Sequence, residues 1–335
     1  MIEQEIGLAP RIALAAGIAF VVLVTMELIA YFEFDESPAN RNAFGYSADA
    51  GISVERDVVS IAPTSSRRFW QQKYPRTAPP GVKRIIVVGD SAVRGPSLDA
   101  SLTQALQDAL AKHGGIQAEV WNLSSPGYGS QRKALIMQRA LEFAPDLIVY
   151  HAGITTEYED AREWERYLAY HSWHPRHWID QLPFLGRARL AKLERGYWQM
   201  LPESVRADSN EDPLAVRLAA IVSKQDTAFW LPRMLSTLDG TIAQAVQARV
   251  PIILVTHVIY DASMRTMKDF GLDQALVERY ASQPGVTVLA NREVFAKQPD
   301  VAALFADSSH WTDAGKDALA AALALEVKRI FRKGG

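Results

Sequence analysis

Apolar positions along this chain follow two regimes. From Ile12 to Phe32 nearly every residue is apolar (IALAAGIAFVVLVTMELIAYF). At about 1.5 Å rise per residue such a run covers about 30 Å, the thickness of the hydrocarbon core of a bilayer. Arg11 stands at one end, and Glu33, Asp35 and Glu36 at the other; Glu27 is the one charge inside, toward the second end. No small-residue cleavage site follows. The pattern therefore predicts an uncleaved transmembrane anchor over 12–32, preceded by a short tail over 1–11, rather than a removed signal peptide or a buried core helix. Lysine and arginine near the two ends are too few to orient it.

Beyond Lys83 the regime changes to short apolar runs alternating with helix-period segments. Strands are predicted at Arg84–Val88, Ala118–Leu123, Asp146–His151, Pro251–Thr256 and Val286–Leu289. Helices are predicted at Ser97–Lys112, Ser130–Phe143, Thr237–Arg249, Leu272–Ser282 and Thr312–Arg332. This alternation implies parallel βαβ units and a sheet covered on both faces, an α/β domain over 83–335. Two stretches stand outside it. Residues 33–82, with Pro38, Gly45, Gly51, Pro63 and Pro79-Pro80, read as a stalk and wrapping segment of short strands or irregular structure. Residues 160–230 read as a mostly helical insertion, rich in aromatic residues (Trp164, Tyr167, Tyr170, Trp173, Trp178, Tyr197, Trp198, Trp230) and in arginine.

Composition narrows the picture. The 335 residues, 48% hydrophobic, suffice for one large core. A net charge of -2 carries no nucleic-acid footprint. The absence of cysteine excludes disulfides, thiolate chemistry and cysteine zinc sites. His171, His174 and His177 are spaced by three, yet Pro175 interrupts any common helical face, so no metal is expected there.

Chemistry enters at the ends of two elements. Gly89-Asp90-Ser91 closes the first strand, and ligands of open α/β sheets bind beyond the carboxyl ends of strands. Serine attacks only when a base takes its proton. Among the seven histidines His310 is the best candidate, because Asp307 three residues earlier is placed to orient it. Candidate oxyanion donors are the N–H of Ser91 and, in the loop Asn122-Leu123-Ser124-Ser125-Pro126-Gly127, the N–H of Gly127. Each motif alone also reads as an ordinary turn or cap.

Together these blocks resemble the SGNH/GDSL hydrolase superfamily over roughly residues 83–335. Gly89-Asp90-Ser91 with Gly95 matches its first block, Asn122 to Gly127 its second, and Asp307-x-x-His310 its last. The resemblance implies a three-layer, flavodoxin-like parallel sheet, a Ser91–His310–Asp307 triad, Gly127 as an oxyanion donor, and no cofactor. One block departs. The family's Gly-x-Asn-Asp after the third strand is here Gly153-Ile154-Thr155-Thr156, so Thr155 replaces the asparagine donor. A lost oxyanion donor costs about 3 kcal/mol in other enzymes.

The functional expectation is an esterase acting on an O-acylated small molecule, lipid or glycan of a bacterial envelope. The domain is expected on the periplasmic or extracytoplasmic side of a membrane entered through 12–32, with no nucleic acid as partner. Alternatives are an acyltransferase using the same intermediate and, because of Thr155, a catalytically silent binding protein on this fold. The insertion's aromatics read equally as a membrane-facing lid, a sugar-stacking wall, or packing onto the core.

Overall fold

Five of the apolar runs pair in parallel into one sheet in the computed structural model, which describes residues 7–33, 44–64, 66–173, 179, 182–199 and 226–333. In chain order the strands are β1 (Ile52–Glu55), β2 (Val58–Ile61), β3 (Gln72–Pro75), β4 (Lys83–Gly89), β5 (Ala118–Ser124), β6 (Leu147–Ala152), β7 (Ile252–Thr256), β8 (Ile259–Asp261), β9 (Thr266–Lys268) and β10 (Val286–Leu289). The parallel sheet has the order β10-β7-β6-β4-β5. That is the flavodoxin-like order, with the chain reversing direction across the sheet at β4 and β6.

Alternation along each strand sends side chains to two cores. Ile86, Val88, Trp121, Leu123, Ile148, Tyr150, Ile252 and Leu254 face helices Ser130–Leu141, Thr227–Gln247 and Leu272–Tyr280. Ile85, Val87, Val120, Leu147, Val149, Ile253 and Val255 face helices Leu102–Ala109, Asn291–Ala296 and Asp313–Lys333. Helices on both faces bury both sides of the strands, which explains why the runs are apolar throughout rather than alternating.

Several boundaries differ from the sequence reading. The helix expected from Ser97 begins at Leu102, because the Ser101 hydroxyl accepts from the Gln104 N–H at 3.2 Å and caps it there. It ends in a π turn, Leu110–Gly114, before Gly115. The helix expected from Thr237 begins ten residues earlier at Thr227, capped by Asp226, and runs through Pro232. The β8–β9 hairpin and the Asn291–Ala296 helix have no counterpart in the expected elements.

Residues 44–75 wrap the domain. They carry the antiparallel β1-β2-β3 sheet and lie against β5, where Tyr74 stacks on Trp121 with centroids 4.5 Å apart. Arg67, fully buried, donates to the carbonyls of Gly45, Ala48 and Ala50 and to the Tyr128 hydroxyl. One guanidinium thus ties the wrapping segment to the loop after β5.

The N-terminal helix Leu8–Glu33 is long and apolar enough to cross a membrane, with a mean hydropathy of 2.5. Its internal charge has a partner. The Glu27 carboxylate accepts the N–H groups of Phe184 (3.0 Å) and Leu185 (2.8 Å), capping the helix Pro183–Gln199 of the insertion. The other described helix of the insertion, Thr155–Trp173, places Trp164 and Tyr167 against Tyr46 of the wrapping segment. Trp230 is fully buried in the core. For these three aromatics the packing reading holds. Residues 200–225 and the side chains of His171, His174 and His177 lie outside the described residues.

Candidate functional site

β4 ends at Gly89 directly onto a single helical turn, Ser91–Arg94. Asp90 makes that junction: its carboxylate accepts the Ala92 N–H at 3.1 Å. The turn closes at Gly95, whose φ of 71° and whose position against the Ala100 carbonyl (2.5 Å from an ideal Cβ) exclude any side chain. Ser91 therefore begins a tight turn at the carboxyl edge of the sheet, beside the place where the chain reverses direction between β4 and β6.

Asp90 itself points inward. Its side chain is 4% exposed and receives Lys133 Nζ at 3.0 Å and His151 Nδ1 at 3.1 Å. Lys133 also donates to the His151 carbonyl at 3.0 Å, so it ties the start of the Ser130–Leu141 helix to the end of β6. Burial alone would push the Asp90 carboxyl up, but His151 and Lys133 outweigh it and hold it well below the usual carboxylate range. His257, after β7, packs edge-on to His151 with centroids 5.1 Å apart. Burial, assisted by the neighbouring His151, lowers its pKa to about 3, so it is a neutral imidazole. Trp311 closes this cluster against both rings.

The second half of the site is built on a loop. Phe305 bridges Trp311, the Ala306 N–H donates to the His310 carbonyl (2.8 Å), and the Tyr260 N–H of β8 donates to the Ser308 carbonyl (2.7 Å). Thr312 caps the final helix, accepting the Gly315 N–H at 3.3 Å. Within this clamp one Asp307 oxygen accepts the N–H groups of Ser309 (2.8 Å) and His310 (2.7 Å). The other meets His310 Nδ1 at 2.7 Å. Burial raises the Asp307 pKa, but these hydrogen bonds more than offset it and the net direction is down.

The two halves meet where His310 Nε2 lies 2.9 Å from Ser91 Oγ, across 219 residues of chain. An ionised carboxylate only accepts, so the Asp307 contact places the imidazole proton on Nδ1 and leaves Nε2 as the acceptor facing the serine hydroxyl. A cleft of about 540 Å³ opens there. Ala92, Gly95, Pro96, Pro126, Ala306 and Trp311 give it apolar walls, and Ser91, Arg94, His310, Asp313 and Lys316 supply its polar groups.

The expected oxyanion donors are placed differently. Among the described residues neither the Ser91 nor the Gly127 N–H is engaged by another group of the chain. Gly127 has φ 70° and follows Pro126 of the cleft wall; neither Gly127 nor Thr155 is itself a lining residue. Thr155 opens the Thr155–Trp173 helix, and its neighbour Thr156 caps back onto the Gly153 carbonyl at 2.8 Å.

The same helix holds the Gly127 loop from below. Glu157 accepts the Ser130 N–H (2.6 Å) and hydroxyl (2.9 Å), and Asp160 accepts the Gln131 N–H (3.0 Å) and pairs with Arg132. Both carboxylates lie at the N-terminus of the Ser130–Leu141 helix, where they complement its dipole. Gly129 permits the approach, since an ideal Cβ there would lie 2.6 Å from Asp160 Cβ. Burial and the nearby Asp160 raise the Glu157 pKa to about 7.

Sequence reasoning did not identify Lys133, His151, His257, Arg94 or Trp311 as part of the site. His151 and His257 each end or follow a predicted strand, a positional signal that was available. Lys133 and Arg94 sit at ordinary helical positions and carried none.

No protein-family model matches this chain, and no curated protein matches it in sequence. Among solved structures it is similar to a lipase/acylhydrolase from Enterococcus faecalis at 14% identity, over 73% of this chain and 95% of the other, with a TM-score of 0.44. It is similar to an acetyl-xylooligosaccharide esterase from Geobacillus at 16% identity, over 73% and 93%, with a TM-score of 0.43. A GDSL-like lipase from Bacteroides thetaiotaomicron aligns at 13% identity, over 74% and 89%, with a TM-score of 0.41.

Proposed function

We propose that this chain is a serine ester hydrolase, with Ser91 as nucleophile, His310 as general base and acid, and Asp307 as the orienting carboxylate. The observation that carries the reading is the continuous hydrogen-bonded chain from Asp307 Oδ2 through His310 (2.7 Å and 2.9 Å) to Ser91 Oγ at the mouth of a cleft. Ser91 Oγ attacks the ester carbonyl carbon as His310 Nε2 takes its proton. The tetrahedral oxyanion is met by the N–H groups of Ser91 and Gly127, with the Thr155 hydroxyl as a third donor. His310 then protonates the leaving alkoxide, which departs as the alcohol. Water adds to the acyl-enzyme, giving its proton to His310 and finally restoring Ser91 with release of the acid. No step calls on a cofactor or metal.

The substrate class we propose is a short O-acyl ester, such as acetyl, on an envelope glycan or lipid. The Leu8–Glu33 helix would tether the domain to the membrane, with the domain on the extracytoplasmic side. A fluorophosphonate probe should label wild type and not Ser91→Ala. Ser91→Ala should also lose at least about 10³-fold in hydrolysis of a short-chain ester. Absence of labelling and turnover in wild type would overturn the reading. It would favour the silent binding protein, a second reading that Thr155 in place of the expected asparagine supports.

A further inference from the structure

The cleft carries two cations of opposite character. Lys316 is nearly buried, paired with Asp313 at 2.6 Å and bonded to the Ala100 carbonyl at 2.6 Å. Arg94 lines the same cleft, three residues after Ser91 on the same helical turn. Among the described residues it has no carboxylate partner, and neither has its neighbour Arg68. It is nevertheless immobilised. The guanidinium lies over the Trp70 ring, 3.5 Å from the centroid. The Trp70 indole N–H donates to the Arg94 carbonyl at 3.0 Å. Arg94 Nε donates to the Arg68 carbonyl, and Nη1 reaches the Gly95 carbonyl at 3.3 Å.

These contacts use the ring face and two of the five N–H donors and leave Nη2 without a partner among the described residues. An exposed arginine with no carboxylate ordinarily ranges through many rotamers. This one has its conformational entropy already spent on a stack and backbone bonds, which leaves a pre-organised fork. The exposed, like-charged Arg68 beside it adds positive potential around Arg94. The backbone that supplies Trp70 and Arg68 is held in turn by Arg67 and by the Arg68 N–H bond to Ser125 Oγ at 3.1 Å. The wrapping segment therefore fixes the Arg94 side chain that lines the cleft.

We propose that Arg94, held flat on Trp70 at the rim of the Ser91 cleft, binds an anionic group of the ester substrate, a carboxylate or a phosphate. This rests on the ester-hydrolase reading above and narrows it. Side chains three apart on a helix start about 5–6 Å from each other. The anion therefore belongs to the same or an adjacent unit as the ester, as in an acetylated uronate or an acetylated sugar phosphate. Arg94 acts on binding and selectivity, not on the reacting carbonyl.

The test compares kcat/KM for an O-acetylated glucuronate, an O-acetylated sugar phosphate and the neutral O-acetylated sugar, in wild type, Arg94→Lys and Arg94→Ala. Wild type should prefer one or both anionic esters. In Arg94→Ala that preference should fall about 10–100-fold, through KM, as expected for loss of a hydrogen bond to a charged group. Arg94→Lys should recover only part, since an ammonium cannot stack or present a fork. Preference for the uronate alone identifies a carboxylate, and for the sugar phosphate alone a phosphate. Equal loss on all three esters through kcat, or no anionic preference in wild type, overturns the proposal. Calorimetric binding of the same acetylated ligands to Ser91→Ala, with and without Arg94→Ala, reads anion recognition without turnover. Weaker anion binding there supports the proposal even if the hydrolase reading fails, and unchanged binding overturns it.

Discussion

Two aspartates flank the Ser91–His310 contact, and they are built on opposite principles. Asp90 precedes Ser91 and is buried, its carboxylate shared among Lys133, His151 and the Ala92 N–H. Asp307 pairs with His310 and is 56% exposed, held by two backbone N–H groups and the His310 ring of its own loop. The first belongs to a network joining β4, β6 and the Ser130–Leu141 helix. The second belongs to a four-residue turn whose carboxylate is held by groups of the same turn. The difference teaches that the strand-end half of the site is a matter of stability, and the loop half a matter of proton placement. A buried ion pair is costly to break because the surviving partner stays buried and uncompensated. An exposed one is cheap to break, and its loss is felt only in chemistry.

Substitutions on the two sides should separate these roles. The largest effect is expected at Asp307. In Asp307→Asn the side-chain oxygen can keep the Ser309 and His310 N–H bonds while the amide faces Nδ1. The imidazole proton is then forced to Nε2, where it can no longer accept from Ser91. Ester hydrolysis should fall on the order of 10⁴-fold, while the unfolding free energy from urea titration stays within about 1 kcal/mol of wild type. A comparable loss of stability would erase the contrast.

Asp90→Asn should do the reverse in its primary effect. It leaves Lys133 buried without its anion and should cost about 3–5 kcal/mol in urea unfolding. Adding Lys133→Met should restore part of that loss, because the uncompensated charge is then gone. A double variant no more stable than Asp90→Asn would show that the pair is not the source of the cost.

The smallest effect sharpens the electrostatics of the buried half. The His257 pKa is depressed from 6.5 to about 3 by burial, so the unfolded chain binds the extra proton first. Between those values the unfolded state holds more protons, so stability is lost as pH falls through about 6.5 toward 3. His257→Gln should flatten that part of the stability–pH profile. Glu157 tilts the other side: its pKa is raised to about 7, so the folded state binds the proton more tightly, and its contribution declines as pH rises from about 4.5 to 7. A His257→Gln profile as steep as wild type below pH 6.5 would assign the acid sensitivity elsewhere.

Much of this molecule was legible without coordinates. The membrane-length helix, the five strands of the parallel sheet and the α/β class follow from periodicities that a chain carries locally. Ser91, Asp307 and His310, which the fold brings into contact, were legible as candidates, because a serine at a strand end and an acid three residues before a histidine are short-range signals. Errors occurred where local cues compete. The Ser97–Lys112 pattern looks helical throughout, but the Ser101 cap postpones the helix to Leu102.

Spacings of a few residues along the chain encode the order of layers and mark Ser91, Asp307 and His310 as candidate groups. What only the tertiary structure decided is their surroundings. Lys133 and His151 reach Asp90 across 43 and 61 residues, and Trp70 meets Arg94 across 24. No local pattern marks such pairs, because they are brought together by the packing of strands, helices and the wrapping segment around one sheet edge, and their chemistry exists only once that packing has removed water from between them.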